Sequence, residues 1–400
     1  MKPSARLSRR ACLQAMGSLA LLPTPLRAQA LATDRLARKR LIVLMLAGGN
    51  DGLNTLVPVR DPLYRRLRPT LALSRHDCLP LNGELALHPA LRSLRALHER
   101  GEVAVVQDVG YPQPNLSHFV STDVWHSGNT SPALAREGWW GNLVQDHRSL
   151  FDAAGLDAHA MLFTPGNAMA RGHGVELFLA SQLPRGGATP PSAARLRPLP
   201  ATAPSLQRQL AEGIEMQQRI AHRFAQRLAG RPLQVPDETA DLLMQQVQLL
   251  LAALDRGVAV PLFKLEQGGY DMHSGQRERQ AEQFAALDAA LATLAAGLRA
   301  AGQWDDTLVL VHSEFGRRAA QNGHGGTDHG AAGPAFLLGG KVAGGLYGQM
   351  PRLDRLDENG NLVAGTDLRR LYATVAGPWF GLPADRFATQ GQAALDGVLA

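Results

Sequence analysis

The chain has little cysteine and few aromatic residues. Its 400 residues contain two cysteines, Cys12 and Cys78, and aromatic residues make up 5% of the sequence. Cys12 lies in a predicted export signal, so the mature chain keeps Cys78 alone. A single cysteine excludes an intramolecular disulfide and a cysteine-based zinc site. Stability must therefore come from a large hydrophobic core, and about 370 residues are enough to bury one.

Acidic residues are absent from positions 1–30, which carry the basic residues Lys2, Arg6, Arg9, Arg10 and Arg27. Ser8–Gln14 (Ser-Arg-Arg-Ala-Cys-Leu-Gln) resembles the twin-arginine export signal, and Ala28–Ala30 fits a small-residue cleavage site. The apolar run Ala11–Leu22 is too short for a stable membrane span. We therefore predict a signal peptide over 1–30, recognition by the twin-arginine translocase, and a periplasmic or secreted protein. An ordinary basic N-terminal helix is the alternative.

A strong charge of one sign is missing from the rest of the chain. Beyond residue 30 the sequence has 36 Lys and Arg against 35 Asp and Glu. It also has no basic stripe with interleaved aromatic residues. The electrostatic features of a nucleic-acid-binding protein are absent, and we expect no nucleic-acid partner.

Continuous apolar runs, each followed by glycine or polar residues, indicate strands buried on both faces, as in a parallel sheet. The runs are Leu41–Leu46, Val103–Val106, Met161–Thr164, Val258–Leu265, Thr307–Val311 and Ala335–Leu338. Leucine and phenylalanine at helical spacing predict a helix over about 277–301 and a shorter one around Leu91–Leu97. This alternation predicts a three-layer α/β/α sandwich with a mainly parallel sheet over residues 31–400. Two further helices, Leu206–Leu228 and Glu238–Leu254, predict a helical insert around 205–255.

Candidate metal ligands follow three of these strands. Asp51 follows the first, Asp271 and His273 follow the Val258–Leu265 run, and Glu314 follows Thr307–Val311. Farther along the glycine-rich loop lie His324, Asp328 and His329. Ligands bind beyond the carboxyl ends of parallel strands, and carboxylates with imidazoles suit one or two divalent metals. The alternative for each residue is an ordinary turn position.

Ser117 is the candidate nucleophile, because it stands near the start of a predicted helix where free N–H groups favour an anion. Ser117 as a simple helix cap is the alternative. His118 is a candidate base, ligand or phosphate contact. Arg317 is a candidate for neutralising a substrate oxyanion, or a solvated arginine on a helix.

Six segments together resemble the exported family called domain of unknown function 1501, a branch of the alkaline phosphatase-like superfamily. They run in order over nearly all of the mature chain and are Gly48–Thr55, His88–Leu91, Ser117–Phe119, Gly268–His273, Ser313–Arg317 and Gly326–Gly330. The resemblance implies an α/β/α sandwich that usually holds two divalent metals, often zinc or manganese.

By this resemblance Asp51 binds one metal and faces the nucleophile Ser117, while Asp271 and His273 bind the other metal. His329, with Asp328, looks like the late histidine ligand. The sequence departs from the superfamily pattern at Phe315, where a histidine commonly follows the acid, and in the close spacing of Asp271 and His273. Cys78 and Ser117 lack the sequence context of a formylglycine sulfatase.

Two functional hypotheses follow. The first is an exported metal-dependent hydrolase of phosphate or sulfate esters, acting on a small-molecule or polymer substrate. The second is a non-catalytic exported binding protein on a phosphatase-like scaffold, because a fold does not fix a function.

Overall fold

A nine-stranded sheet forms the centre of the computed structural model, which describes residues 24–131, 136–183, 204–229, 233, 241–384 and 391–400. Its strands are β1 (Arg40–Leu46), β5 (Val103–Gly110), β6 (Ala160–Leu162), β7 (Leu177–Leu179), β8 (Leu262–Gln267), β9 (Thr307–His312), β10 (Gly333–Leu338), β11 (Gly345–Tyr347) and β12 (Thr366–Asp367). A smaller sheet contains β2 (Leu56–Pro58), β3 (Leu79–Pro80) and β4 (Leu85–Leu87).

The order of the large sheet is β11-β5-β10-β9-β1-β8-β6-β7, with β12 beside β5. Strand β1 pairs in parallel with both β8 and β9, and β6 continues the parallel arrangement. Strand β10 is antiparallel to both of its neighbours. The predicted mainly parallel sheet is therefore confirmed.

Helices cover both faces of the sheet and complete the predicted three layers. They are α1 (Thr24–Arg38), α2 (Gly52–Thr55), α3 (Pro62–Leu67), α4 (Arg92–Glu99), α5 (His118–Ser127), α6 (Trp139–Asp146), α7 (Arg148–Ala153), α8 (Ser205–Leu228), α9 (Leu242–Asp255), α10 (Gln276–Ala300) and α11 (Leu368–Thr374). Ile42 and Leu44 of β1 join one core with α4, α8, α9 and α10. Leu41 and Val43 point the other way, into a core with α1, α5, α6, α7 and α11.

The two helices of the predicted insert are present as α8 and α9. Phe224 of α8 stacks on Phe178 of β7, with ring centroids 3.9 Å apart, and Val247 and Leu250 of α9 are buried in the same core. Both helices therefore pack against the sheet. The insert boundary stays a prediction.

Most of the predicted signal peptide, up to residue 23, lies outside the described residues, and the export prediction is untested. Residues 24–30 form the start of α1. Among the helices that are described, none combines the length and apolar character that a membrane crossing requires.

Strand β5 has an unusual backbone conformation at Asp108, two residues before the strand ends. This residue has φ of 54°, a region that side chains other than glycine rarely adopt. Its side chain is 6% exposed, and Oδ1 has no hydrogen-bond partner among the described residues. Burial raises the pKa of the Asp108 carboxyl from 3.8 to about 7, against a smaller opposing effect of the Gly365 N–H.

We expect this carboxyl to make the protein less stable as pH rises. A folded pKa above the unfolded one means that the folded chain binds more protons between pH 4 and 7. The free energy of unfolding should therefore fall across that interval, by roughly 4 kcal/mol at most, and then level off. Asp108→Asn should remove this slope in denaturant unfolding measured from pH 4 to 8. Asp123→Asn, at an exposed position on α5, is the control. An unchanged slope in Asp108→Asn would contradict the assignment.

Candidate metal site

The site lies where the carboxyl ends of β1, β8 and β9 meet at the centre of the sheet. The loops that follow these strands carry Asp51, Asp271 with His273, and Glu314 with Arg317. The loop from β5 to α5 and the later part of the loop after β9, which carries His329, reach the same edge. The sheet thus brings together residues that are 196 and 213 positions apart in the chain.

A buried arginine joins these loops. Arg317 is 2% exposed, and its guanidinium donates to the carbonyl oxygens of Gly48, Gly49 (2.6 Å), Tyr270 (3.1 Å) and Thr327 (3.0 Å). Its Nη2 also donates to Oδ1 of Asp271 at 2.7 Å. These bonds satisfy the buried charge and fix the Asp271 carboxylate.

His118, Asp271 and His329 form a group that could hold a metal ion. Each offers one ligand atom, and the three atoms lie within 4.8 Å of one another. Nε2 of His273 lies 2.9 Å from Oδ1 of Asp271 and 3.1 Å from Nε2 of His329, so it adds a fourth donor beside the group. The side chains are partly exposed, between 24% for His329 and 48% for Asp271, which leaves the cluster open to solvent.

Hydrogen bonds fix which nitrogen of each histidine faces this cluster. Nδ1 of His329 lies 2.8 Å from the Leu116 carbonyl oxygen, which can only accept, so Nδ1 carries the proton. Nδ1 of His118 lies 2.8 Å from Oε1 of Glu314, and the same reasoning gives it the proton when Glu314 is ionised. Carboxylate and carbonyl groups orient metal-binding histidines in this way.

When the two rings are neutral, their Nε2 atoms therefore direct lone pairs at a carboxylate. They lie 3.4 Å (His118) and 3.1 Å (His329) from oxygens of Asp271. Nε2 of His118 is buried and has no hydrogen-bond partner among the described residues. Lone pairs and carboxylate oxygens repel unless a proton or a metal ion lies between them. Two imidazoles and one carboxylate are a donor set that suits a borderline divalent metal, so the residues fit such an ion.

The ionisation of Asp271 supports the same conclusion. Partial burial would raise the pKa of this carboxyl, but opposing contacts, of which the Arg317 hydrogen bond is the largest, hold the pKa well below its ordinary range. Asp271 is therefore a carboxylate at all physiological pH values. The Asn322 amide likewise lowers the pKa of Asp328, whose Oδ1 lies 3.5 Å from Nδ1 of His273.

Phe315, which stands where a histidine was expected, forms the floor of the cluster. It is 3% exposed, and its ring centroid lies 4.8 Å from those of His118 and His329. The ring fills the space beneath the two imidazoles and offers no ligand atom.

The structure does not bring Asp51 into this cluster. Its carboxylate accepts two hydrogen bonds from buried Arg68, at 2.5 and 2.9 Å, and others from Gln276 (2.5 Å) and the Leu53 N–H (3.2 Å). Sequence reasoning missed Arg68 and Gln276, because neither spacing nor composition marks an arginine 17 residues away as a buried partner. The environment of Asp51 is that of a buried ion pair.

The remaining candidates take different places. Glu314 contacts Nδ1 of His118 and also accepts the Gly48 N–H at 2.8 Å. The N–H groups of Arg317 donate to loop carbonyl oxygens and to Asp271. The His324 side chain is exposed and lies outside the group.

Ser117 directly precedes α5. Its neighbours in the chain are Leu116, which contacts His329, and His118, which belongs to the cluster. Leu116 accepts the hydrogen bond of His329, and His118 contacts Glu314 and Asp271. The Ser117 side chain makes no capping hydrogen bond to α5, and its own N–H donates to Asn115 at 2.9 Å. It is exposed. Ser117 is therefore the N-cap residue of α5, but its hydroxyl does not bond to the free N–H groups of the first helical turn.

Comparison with known proteins gives a family and distant structural likenesses. A family model described as "Protein of unknown function (DUF1501)" matches residues 38–389. No curated protein matches the sequence. Among solved structures, the chain is similar to Ps i-CgsB (13% identity, TM-score 0.44, covering 90% of this chain and 75% of that one). It is also similar to the PsFucS1 sulfatase from Pseudoalteromonas sp. (12%, 0.41, 94% and 78%). A third likeness is to a protein in the alkaline phosphatase superfamily from Vibrio parahaemolyticus (12%, 0.36, 90% and 76%).

The Asp51–Arg68 pair predicts a strong loss of stability when one partner is removed. Arg68→Met leaves a buried carboxylate without its counter-charge, and we expect the free energy of unfolding to fall by about 3–5 kcal/mol. Adding Asp51→Asn to Arg68→Met should recover part of that loss, because it removes the unpaired charge. Denaturant unfolding of both variants measures the effect, and Arg65→Met on α3 is the matched control. A double variant less stable than Arg68→Met would contradict the ion-pair assignment.

Proposed function

The chain belongs to the DUF1501 family, and from this premise we propose that it is an exported metal-dependent hydrolase of phosphate or sulfate esters. The observation that carries the proposal is the pair of Nε2 lone pairs, from His118 and His329, directed at the ionised carboxylate of Asp271. His273 would complete the set as a fourth ligand. Zinc is the first choice of metal and manganese the second, because imidazole suits zinc.

Different residues of the chain would hold the metal ligands and bind the substrate anion. When bound, the metal supplies Lewis-acid stabilisation of negative charge on the reacting ester. Glu314 and the Leu116 carbonyl hold the two imidazoles in the binding tautomer, and Arg317 keeps Asp271 in place. The first turn of α5 presents N–H groups to an anionic phosphoryl or sulfuryl group.

Ser117 would be the nucleophile. Its hydroxyl gives up a proton, Oγ forms a bond to phosphorus or sulfur as the bond to the alcohol oxygen breaks, and the alcohol leaves with a proton. Water then attacks the seryl ester and releases inorganic phosphate or sulfate, which restores the hydroxyl. The support for this role is the position of Ser117, exposed and free of a capping bond, between Leu116 and His118.

Export by the twin-arginine translocase, with a periplasmic or secreted location, is part of the proposal. It rests on the paired arginines Arg9 and Arg10, the following apolar run and the acid-free N-terminus. That route carries proteins that are already folded, which suits a protein that loads its metal inside the cell.

A second candidate function is a non-catalytic protein that holds a metal and binds a partner. The specific observation in its favour is that Asp51 and Arg317, the residues suggested for a second metal and for the substrate charge, are both held by other partners. If this second function is correct, the protein should bind a metal ion but should not hydrolyse any ester.

The metal site is tested by mass spectrometry of the purified mature protein. We expect about one zinc or manganese ion per chain in the wild type. Replacing a residue that only orients a metal ligand typically weakens metal binding about 10–100-fold. Loss of a ligand itself, in His118→Ala or His329→Ala, should therefore weaken metal binding by at least that much. The control is His76→Ala, at an exposed position. Full metal content in both ligand variants would contradict the site.

Turnover separates the two functions. With p-nitrophenyl phosphate, bis(p-nitrophenyl) phosphate and p-nitrophenyl sulfate as probes, we expect release of p-nitrophenol by the metal-loaded protein. Ser117→Ala should lower kcat by roughly a thousandfold or more with metal retained, since removal of a nucleophile eliminates the covalent route. Ser205→Ala, an exposed serine at the start of α8, is the matched control. Unchanged kcat in Ser117→Ala overturns the nucleophile, and a metal-loaded protein inactive on every ester supports the second candidate.

A further inference from the structure

Arg68 places a buried positive charge at Asp51, the residue for which the superfamily resemblance implies a metal ion. The Arg68 side chain directly follows α3 and is 0% exposed. Its Nη1 lies 2.5 Å from Oδ2 of Asp51, and its Nη2 lies 2.9 Å from Oδ1. Two parallel hydrogen bonds of this kind match a planar guanidinium to both oxygens of a carboxylate. The cation that faces Asp51 is therefore part of the chain.

The Asp51 carboxylate has no lone pair left for a metal ion. Besides Nη2 of Arg68, Oδ1 accepts the Leu53 N–H at 3.2 Å. Besides Nη1 of Arg68, Oδ2 accepts the Gln276 amide at 2.5 Å. A carboxylate has about four lone-pair positions, and these hydrogen bonds fill them. A metal ion could bind here only by displacing Arg68, whose charge is costly to leave unpaired inside the protein.

The hydrogen-bond acceptors that surround the guanidinium are all oxygen atoms. They are the two oxygens of Asp51, Oδ1 of Asn54 (2.9 Å) and the carbonyl oxygens of Ala319 (2.8 Å) and Arg318 (2.9 Å). We call this set the Asp51 pocket. Carboxylate, amide and carbonyl oxygens are also the ligands of a hard divalent cation such as calcium. The Asp51 pocket thus has the chemistry of a cation site, and a side chain of the protein fills it.

The Asp51 pocket contacts the loop that carries His329. Its two carbonyl groups belong to that loop. The Gln276 side chain donates to Asp51 and accepts from Oγ1 of Thr327 at 2.7 Å. Thr327 lies two residues before His329, which is one of the candidate metal ligands. The buried cation therefore helps to hold the position of a ligand that it does not touch.

We propose that the guanidinium of Arg68 takes the place of a second metal ion, so that the protein holds one exchangeable metal and one built-in cation. Asp51 neutralises Arg68 and binds no metal, contrary to the role that the resemblance implies. Among the described residues, His118, Asp271 and His329 form the single group of three side chains that could hold an ion. Only the statement that this group holds the one metal rests on the proposed function. The role of Arg68 does not.

The metal content of the protein is the first test. The wild type, treated with excess zinc or manganese and freed of loose ions by gel filtration, should retain no more than one ion per chain by mass spectrometry. The double variant Asp51→Asn/Arg68→Met should retain as many ions as the wild type, because neither residue is a ligand. Two ions in the wild type, or fewer ions in the double variant than in the wild type, would overturn the proposal.

Chemical rescue tests the built-in cation directly. Arg68→Ala removes the guanidinium and leaves its oxygen acceptors in place, and ethylguanidinium is the fragment that this substitution deletes. We expect ethylguanidinium chloride to raise the Tm of Arg68→Ala by roughly 2 °C or more above the value in equal ethylammonium chloride, since only the guanidinium matches both carboxylate oxygens. Calorimetry should also detect a calcium site in Arg68→Ala that the wild type lacks, because the oxygens are then free for a hard cation.

Arg65→Ala, at an exposed arginine on α3, is the matched control and should show neither effect. If Arg68→Ala does not fold unaided, the yield of refolding in the two salts gives the same comparison. Equal effects of the two salts, or no gain of calcium binding in Arg68→Ala, would overturn the proposal. A wild type that retains no metal refutes the proposed hydrolase, and a preference for ethylguanidinium would still support the role of Arg68.

Discussion

The whole site depends on the buried guanidinium of Arg317. A charge that is 2% exposed must find acceptors inside the protein, and it finds four backbone carbonyls and one carboxylate. Those acceptors belong to three separate loops, so the need to solvate one cation sets the distances between them. Gly48 allows this approach. It has φ of 116°, and a Cβ there would lie 2.5 Å from the backbone nitrogen of Asp271.

Two carboxylates do different work around the same histidine. Glu314 is buried and orients His118 from behind through Nδ1, whereas Asp271 is half exposed and faces Nε2. The sequence alone ranks the two acids alike, because each follows a strand at the same edge of the sheet. Their depth separates them. A buried carboxylate that is hydrogen-bonded to an imidazole and a backbone N–H fixes the orientation of the imidazole ring. A partly exposed carboxylate remains available to bind a cation.

Much of the fold could be predicted from the sequence because burial on both faces leaves a clear pattern. The runs Leu41–Leu46 and Thr307–Val311 are β1 and β9 within one residue, and the helix predicted over about 277–301 is α10. Strand direction left no such pattern, so the antiparallel β10 was not anticipated. The sequence also does not show which residues pair with each carboxylate in the folded protein. Asp51 and Asp271 look alike in sequence, and only the folded chain sets Arg68 against one and leaves the other facing histidines.

The ligand atoms of the cluster come from positions 118, 271 and 329, far apart along the chain. An unfolded polypeptide cannot gather them at low metal concentration, whereas Arg317 and the Asp51–Arg68 pair organise the loops from within the protein alone. In the proposed metal site, the empty and loaded forms would then be two states of one folded scaffold, and the ion would exchange without unfolding it. A metal ion at this site would therefore bind only after the chain has folded. By mass action, an ion at 100 times its dissociation constant would add about 2.7 kcal/mol to a chain already able to hold its shape.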